Sequence, residues 1–364
     1  MRKAPLFIMV MALLMLLAAC QCLLPQRQMS SLENRMLAQA PQLSVDSLRD
    51  GSFAEDAERF AMDQLPLRDR FVALYSSMQF ILGRRAVGDA IYGDGMLFDQ
   101  SGSWSERNVR LNAAALNELA EKTGKPVYLP VYLLAVPSAA SVYPEKLPSC
   151  APVADEEALL AAAEAETELL SLLPALRAGR EQLLYYMTDH HWTAAGARIG
   201  YETVCAALGL VPEESRALES FPGFYGSFYA RYPLPWVKAD CFAYAPVEGI
   251  RLMVNGAEKP GLLDPAMLEG RDKYAALLYG NHAQIELIND AAPSGTLLVI
   301  KDSYANALLP LLAQHYRRIV AVDPRYFAGD IISTVNEYEG EAILCIYGLN
   351  TLASGRTIAL LEGF

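Results

Sequence analysis

The stretch Thr188-Asp189-His190-His191-Trp192-Thr193 sets two of the chain's four histidines beside an acid. Imidazoles next to a carboxylate can ligate a metal, move a proton or simply pack. The strand-like run Leu183–Met187 leads into the stretch, and residues two apart in an extended segment point the same way. Asp189 and His191 then share a face, with His190 turned opposite. An acid that fixes one tautomer of an imidazole is the acid–base arm of a hydrolytic triad, and it needs a nucleophile. Ser303 offers one. Thr296–Ile300 reads as a buried strand ending at Lys301-Asp302-Ser303, with a helix expected over Tyr304–Tyr316. Ligands sit at the carboxyl ends of strands in open α/β sheets, and a serine at a helix N-terminus has N–H groups beside it to hold an oxyanion. The same serine also reads as an ordinary N-cap. A third strand end, Gly348-Leu349-Asn350, brings an asparagine amide as a second oxyanion donor.

The remaining candidates carry weaker signals. Beyond the pair, only His282 and His315 are left as imidazoles, and no CxxC pair exists, so a metal site lacks a ligand set. The chemistry proposed calls for no metal or organic cofactor. Gly280-Asn281-His282 follows an apolar run, where Asn281 and His282 either position substrate or form a plain turn. His315, near the end of the helix expected after Ser303, reads as structural. Trp192 either meets substrate or braces the motif. The seven aromatics of Phe221–Trp236 suit sugar faces or a packed cluster.

The elements that must position these groups follow from the apolar pattern. Residues 52–82 have a helical face interrupted at Pro66, and Ala90–Asp99 reads as a β-hairpin around Gly93-Asp94-Gly95. Residues 106–122 and 155–173 read as helices, the second stopped by Pro174, and a helix runs from Thr193 to Leu208. Pro126–Ser138 is strand-like, with Pro130 awkward in a central ladder. Strands at 250–254 and 284–288 alternate, whereas those at 296–300, 318–322 and 342–347 are continuous apolar runs, the pattern of strands buried on both faces. Strand, helix and strand in this order predict a doubly wound α/β domain with a mainly parallel central sheet over 51–364.

Residues 1–24 read as a membrane anchor and 25–50 as a polar tether. Arg2-Lys3 precedes the apolar run Leu6–Ala19 and Cys20, which reads as a signal peptide whose lipobox-like Leu17–Cys20 would lead to lipidation of Cys20. Left uncleaved, Leu6–Leu24 approaches the ~20 residues that span a bilayer. Either way the rest of the chain lies outside the cytoplasm. Cys150, Cys205, Cys241 and Cys345 permit two disulfides or buried thiols, and Cys345, in an apolar run, reads as buried. A net charge of -12 without a basic cluster excludes a nucleic-acid partner.

Taken together, Asp189-His190-His191-Trp192, Lys301–Asn306, Asp323–Phe327 and Ser30–Arg35 resemble the bacterial DHHW protein family. That family is similar to the SGNH hydrolase-like proteins of alginate O-acetylation, which carry Asp-x-His-Trp and a later Asp-Ser. The resemblance covers most of the chain past the anchor. It implies Ser303 as nucleophile, His191 as base and Asp189 as orienting acid, and Gly348-x-Asn350 resembles the SGNH Gly-x-Asn block. Lys301 departs from the pattern, standing where many SGNH enzymes have glycine. The implied function is O-acetyl transfer to a cell-envelope polysaccharide, with a membrane-bound O-acyltransferase partner as source of acetyl groups. An O-acetyl esterase would use the same residues, and a non-catalytic glycan-binding or scaffold protein is the remaining reading.

Overall fold

The computed structural model describes residues 4–30, 32–33, 35–122, 129–329, 331–338 and 340–358. The chain forms two compact units: 1–84 with 230–236, and 85–229 with 237–364. The division therefore falls well past residue 50, where the tether was expected to end.

In the first unit, α1 spans Ala4–Leu23, α2 Ser52–Asp63 and α3 Arg68–Ile81. Among the described residues no helix is long and apolar enough to cross a membrane, so the anchor read from the sequence gains no support here. The helical run over 52–82 breaks where Pro66 removes an N–H, and Leu67 enters α3 with a left-handed φ of 62°. The supposed tether is folded. Asp63, at the end of α2, accepts both Arg35 guanidinium N–H groups (2.8 and 2.5 Å) and the Ala38 N–H (2.8 Å). Glu33 pairs with Arg68. The Glu33 and Arg35 side chains of the Ser30–Arg35 motif thus clamp the segment onto α2 and α3.

The hydrogen bond from Arg35 holds the Asp63 carboxyl at about 2. Its folded value lies below its unfolded one, so the added stability is complete above the ordinary carboxylate range and is lost as pH falls through about 2. Arg35 is partly exposed, so the pair contributes on the order of 1 kcal/mol. Asp63→Asn is expected to lower neutral-pH stability by that amount and to flatten the acid limb of a pH-dependent urea midpoint series.

The second unit is built on one sheet of seven strands: β1 Val131–Val136, β2 Ile250–Val254, β3 Ala257–Lys259, β4 Gln284–Asn289, β5 Thr296–Lys301, β6 Arg318–Val322 and β7 Ala342–Gly348. Their order is β3-β2-β4-β6-β5-β7-β1. β6, β5, β7 and β1 run parallel, while β4, β2 and β3 join antiparallel. The sheet is therefore mixed rather than mainly parallel. The sequence pattern already distinguishes the two halves. β5, β6 and β7, the continuous apolar runs, are the parallel strands, and alternating β2 and β4 are the half-buried antiparallel ones.

Both faces of the parallel half are covered. Leu344 and Ile346 enter one core while Ile343, Cys345 and Tyr347 enter the other. Helices α4 Glu106–Lys122, α5 Glu156–Glu164, α6 Ala194–Leu208 and α7 Leu349–Ser354 complete the elements used below. The expected hairpin pairs Ala90–Gly93 with Met96–Asp99. Pro130 sits just before β1, lending only its carbonyl to the Ile343 N–H. Residues 126–128 of the expected strand lie outside the described residues.

Two expected helices differ. Over 155–173 the helix ends early, because the chain past Ala165 pairs along β1: Leu133 N–H donates to Glu168 and Leu170 N–H to Leu133 (2.9 and 2.8 Å). After Ser303 comes a 3-10 turn, Ser303–Ala307, and then a short helix, Leu309–Leu312, with Pro310 at its start. Cys20, Cys150, Cys205, Cys241 and Cys345 are all unpaired thiols, and Cys345 is buried as expected.

Candidate active site

Three strand-end or loop segments meet. Lys301 closes β5 beside Ile346 of β7, so the residues that follow, Asp302-Ser303 and Gly348-x-Asn350, leave the sheet side by side. The motif loop reaches them from a tight bend rather than from an extended strand. Tyr185 and Trp192 pair as an isolated antiparallel bridge, and Tyr186 N–H donates to the His191 carbonyl (3.2 Å). Residues 188–191 occupy the bend between.

Alternation therefore does not explain the geometry. His191 N–H donates to Asp189 Oδ1 (2.9 Å), a local Asx turn that folds acid and base together. The His191 Nδ1 lies 2.5 Å from the same oxygen, and its Nε2 lies 2.8 Å from Ser303 Oγ. His190 is not turned away either. Its ring centroid is 3.8 Å from that of His191, and its Nδ1 meets Ser227 Oγ at 2.7 Å.

The bend is held from outside. Asp240 accepts the Met187 and Thr188 N–H groups (2.8 Å each) and the Thr188 hydroxyl (2.6 Å). Ser227 N–H donates to Asp189 Oδ2 at 2.6 Å. Burial pushes the Asp189 carboxyl up, but the His190 and His191 imidazoles and these N–H donors outweigh it and hold the group well below the carboxylate range. Asp189 is thus an anion facing the His191 ring.

Gly226 explains why Ser227 can approach. A Cβ at position 226 would lie 2.2 Å from the Asp189 Cβ. Gly226→Ala is expected to displace Asp189 and to lower stability by about 1–3 kcal/mol. A lower melting temperature than wild type checks this.

Behind Ser303, Asp302 is fully buried and ties the two strand ends together. It accepts Tyr304 N–H (2.9 Å), Gly348 N–H (2.9 Å) and the Thr351 hydroxyl (2.8 Å). Gly348 N–H is therefore committed to Asp302 and is no oxyanion donor. The Ser303 N–H has no acceptor among the described residues and opens the 3-10 turn. A five-residue turn has little macrodipole, so any oxyanion stabilisation at Ser303 comes from individual N–H groups rather than from the helix first expected. The Asn350 side-chain oxygen accepts the Thr351 N–H (2.8 Å) and lies against Gly348.

The other candidates make contacts within the fold. Trp192 is wholly buried, its indole N–H donating to the Tyr304 carbonyl (3.1 Å), and its ring fits against Gly200 of α6. It braces the motif loop against α6. Asn281 Oδ1 accepts a hydrogen bond from Asn306 Nδ2 (3.3 Å), and Asn306 Oδ1 accepts one from Lys301 Nζ (2.7 Å). His282 meets the Tyr279 carbonyl (2.8 Å). Burial pulls Lys301 down to about 8, with Asp323 and Asp302 opposing. Lys301 thus supports the turn from beneath, in the place where many SGNH enzymes have glycine. His315 bonds the Tyr201 hydroxyl (2.7 Å), a contact between α6 and the region after Ser303.

Among the described residues, Asp189, His190 and His191 form the one cluster with ligand atoms close enough for a metal, all within 4.8 Å. The Asp189 oxygens and both His191 nitrogens are already engaged in the hydrogen bonds above. Sequence reasoning missed Asp240, Gly226 and Ser227, which come from the irregular aromatic segment, and Tyr274, which opens a 3-10 turn further along the chain.

Two family models match the chain. The one described as DHHW protein covers residues 169–322, and the one described as SGNH hydrolase-like domain, acetyltransferase AlgX, covers residues 95–220. No curated protein matches. A DHHW family protein from Eubacterium siraeum shares the fold at TM-score 0.63 and 19% identity, over 76% of this chain and 98% of that one. PatB1 from Bacillus cereus does so at TM-score 0.60 and 19% identity, over 74% and 98%. A structure of PatB1 with a sulfonyl adduct matches at TM-score 0.59 and 18% identity, over 74% and 96%. Residues 169–322 are thus similar to the DHHW proteins and residues 95–220 to the SGNH hydrolase-like domain of AlgX, and the chain shares the α/β fold of the DHHW family protein and of PatB1.

Proposed function

We propose that this chain is an O-acyltransferase that moves acetyl groups onto a cell-envelope polysaccharide through Ser303, His191 and Asp189. The observation that carries the reading is the hydrogen-bonded chain from Asp189 Oδ1 through the His191 ring to Ser303 Oγ, at 2.5 and 2.8 Å. The match to an acetyltransferase domain supports acyl transfer as the reaction class. In the first step Ser303 Oγ bonds to the acyl carbon of the donor as its proton passes to His191 Nε2. The carbonyl electron pair moves to oxygen, where the Ser303 N–H and the Asn350 amide receive it. The intermediate collapses by breaking the donor C–O bond, and the imidazolium protonates the departing alkoxide. A sugar hydroxyl then repeats the sequence in reverse, giving its proton to His191 and taking the acetyl group.

The donor side requires an acetyl source outside the cell, which a membrane-bound O-acyltransferase partner supplies. Arg2-Lys3 followed by the apolar run Leu6–Ala19 and Cys20 supports an extracytoplasmic placement with lipidation at Cys20. Incubating the purified chain with p-nitrophenyl acetate and envelope oligosaccharides is expected to yield acetylated sugar by mass spectrometry. Free acetate alone would establish the esterase in its place. No turnover, and no labelling of Ser303 by a sulfonyl fluoride, would leave the scaffold reading.

A further inference from the structure

Proton transfer from Ser303 leaves a positive imidazolium on His191, and the surroundings of that ring decide how readily it forms. Tyr274 lies flat upon it, with centroids 3.7 Å apart and planes 8° from parallel. His190 approaches to 3.8 Å with a 37° tilt. Two rings at these separations cannot occupy the same face of an imidazole, so His191 is held between them. The Tyr274 hydroxyl also donates to the Ser303 carbonyl oxygen (3.1 Å). One side chain therefore touches the base with its ring and the backbone of the nucleophile with its hydroxyl.

Tyr274 begins the 3-10 turn Tyr274–Ala276, whose first N–H groups are accepted by the Asp272 carboxylate. Burial pushes the phenol pKa far up, so the hydroxyl stays a donor. A cavity of about 240 Å³, lined also by Tyr186, Trp192, Phe242 and Leu277, borders Tyr274. The bond from its hydroxyl and the Asp272-bound turn hold the ring in place.

We infer that Tyr274 is a positioning residue of this site: its ring aligns His191 with Ser303 and its π face stabilises the imidazolium as the proton arrives. The inference rests on the acyl-transfer reading, and its test is built to separate the two. Wild type, Tyr274→Phe and Tyr274→Leu are compared in the full chain for p-nitrophenyl acetate turnover and for the rate at which phenylmethylsulfonyl fluoride labels Ser303, read by intact mass. Tyr274→Leu is expected to lose about 30-fold in kcat and in labelling rate, with KM unchanged. Tyr274→Phe, which keeps the ring, is expected to recover most of that loss. Should the leucine variant not fold by circular dichroism, Tyr274→Met, closer in volume, takes its place. Labelling of the leucine or methionine variant at the wild-type rate overturns the inference, as does a phenylalanine variant no better than leucine. Absence of both turnover and labelling in wild type overturns the acyl-transfer reading instead.

Discussion

Ser303→Ala is expected to lower acyl-ester turnover on the order of 10⁵–10⁶-fold while leaving the melting temperature within experimental error of wild type. The size of the loss follows from the geometry. Ser303 Oγ is the atom His191 Nε2 faces at 2.8 Å, and no second hydroxyl is hydrogen-bonded to that nitrogen among the described residues. Stability is spared because the serine side chain is not what caps the turn. Asp302 does that, accepting the Tyr304 N–H at 2.9 Å. A steady-state assay paired with a thermal melt separates the two quantities. Residual turnover above about one-thousandth of wild type would mean that ester cleavage runs through another group.

Asp189→Asn is expected to cost about 10⁴-fold in kcat. The carboxylate accepts from the His191 N–H, the His191 Nδ1 and the Ser227 N–H at once. An amide has one oxygen, so either Ser227 or His191 would face an NH₂ group. If the NH₂ meets Nδ1, the imidazole is left in the tautomer that cannot accept the Ser303 proton on Nε2. The buried negative charge that balances the imidazolium is lost as well. Burial and the neighbouring imidazoles make this a larger effect than at an exposed acid, because the interaction is not screened by water. Comparable kcat values for Asp189→Asn and wild type would remove Asp189 from the mechanism.

Much of the fold was legible in the sequence for a simple reason. Strands buried on both faces must be apolar at every position, so β5, β6 and β7 announced themselves as continuous runs. The hairpin at Ala90–Asp99 and the break at Pro66 were equally local, each set by turn chemistry within a few residues. The helix over 155–173 was misread because its second half has helical spacing yet gains more by pairing along β1, a partner more than thirty residues earlier. The alternation of β2 and β4 marked them as half-buried strands, but their pairing order and register, with β4 set between β2 and β6, came only from the packed sheet. In the first unit, a segment that read as a solvated tether is held onto α2 by the bonds from Arg35 and Ala38 to Asp63.

The sequence alone determined the residue types of the site: an acid and imidazole two residues apart, a serine after a buried strand, an asparagine after another. It pointed to Ser303, His191 and Asp189, although for the wrong local reason. What only the tertiary structure decided is how those groups face one another. The bend at 188–191 exists because Asp240 gathers its N–H groups, and Gly226 lets Ser227 reach Asp189. Tyr274 then closes over His191 from a turn more than eighty residues away. Such contacts leave no periodicity behind. A hydrophobic pattern records how much of each residue is buried, whereas a catalytic angle depends on donors and ring faces supplied by distant segments, and those are settled only once the chain has packed.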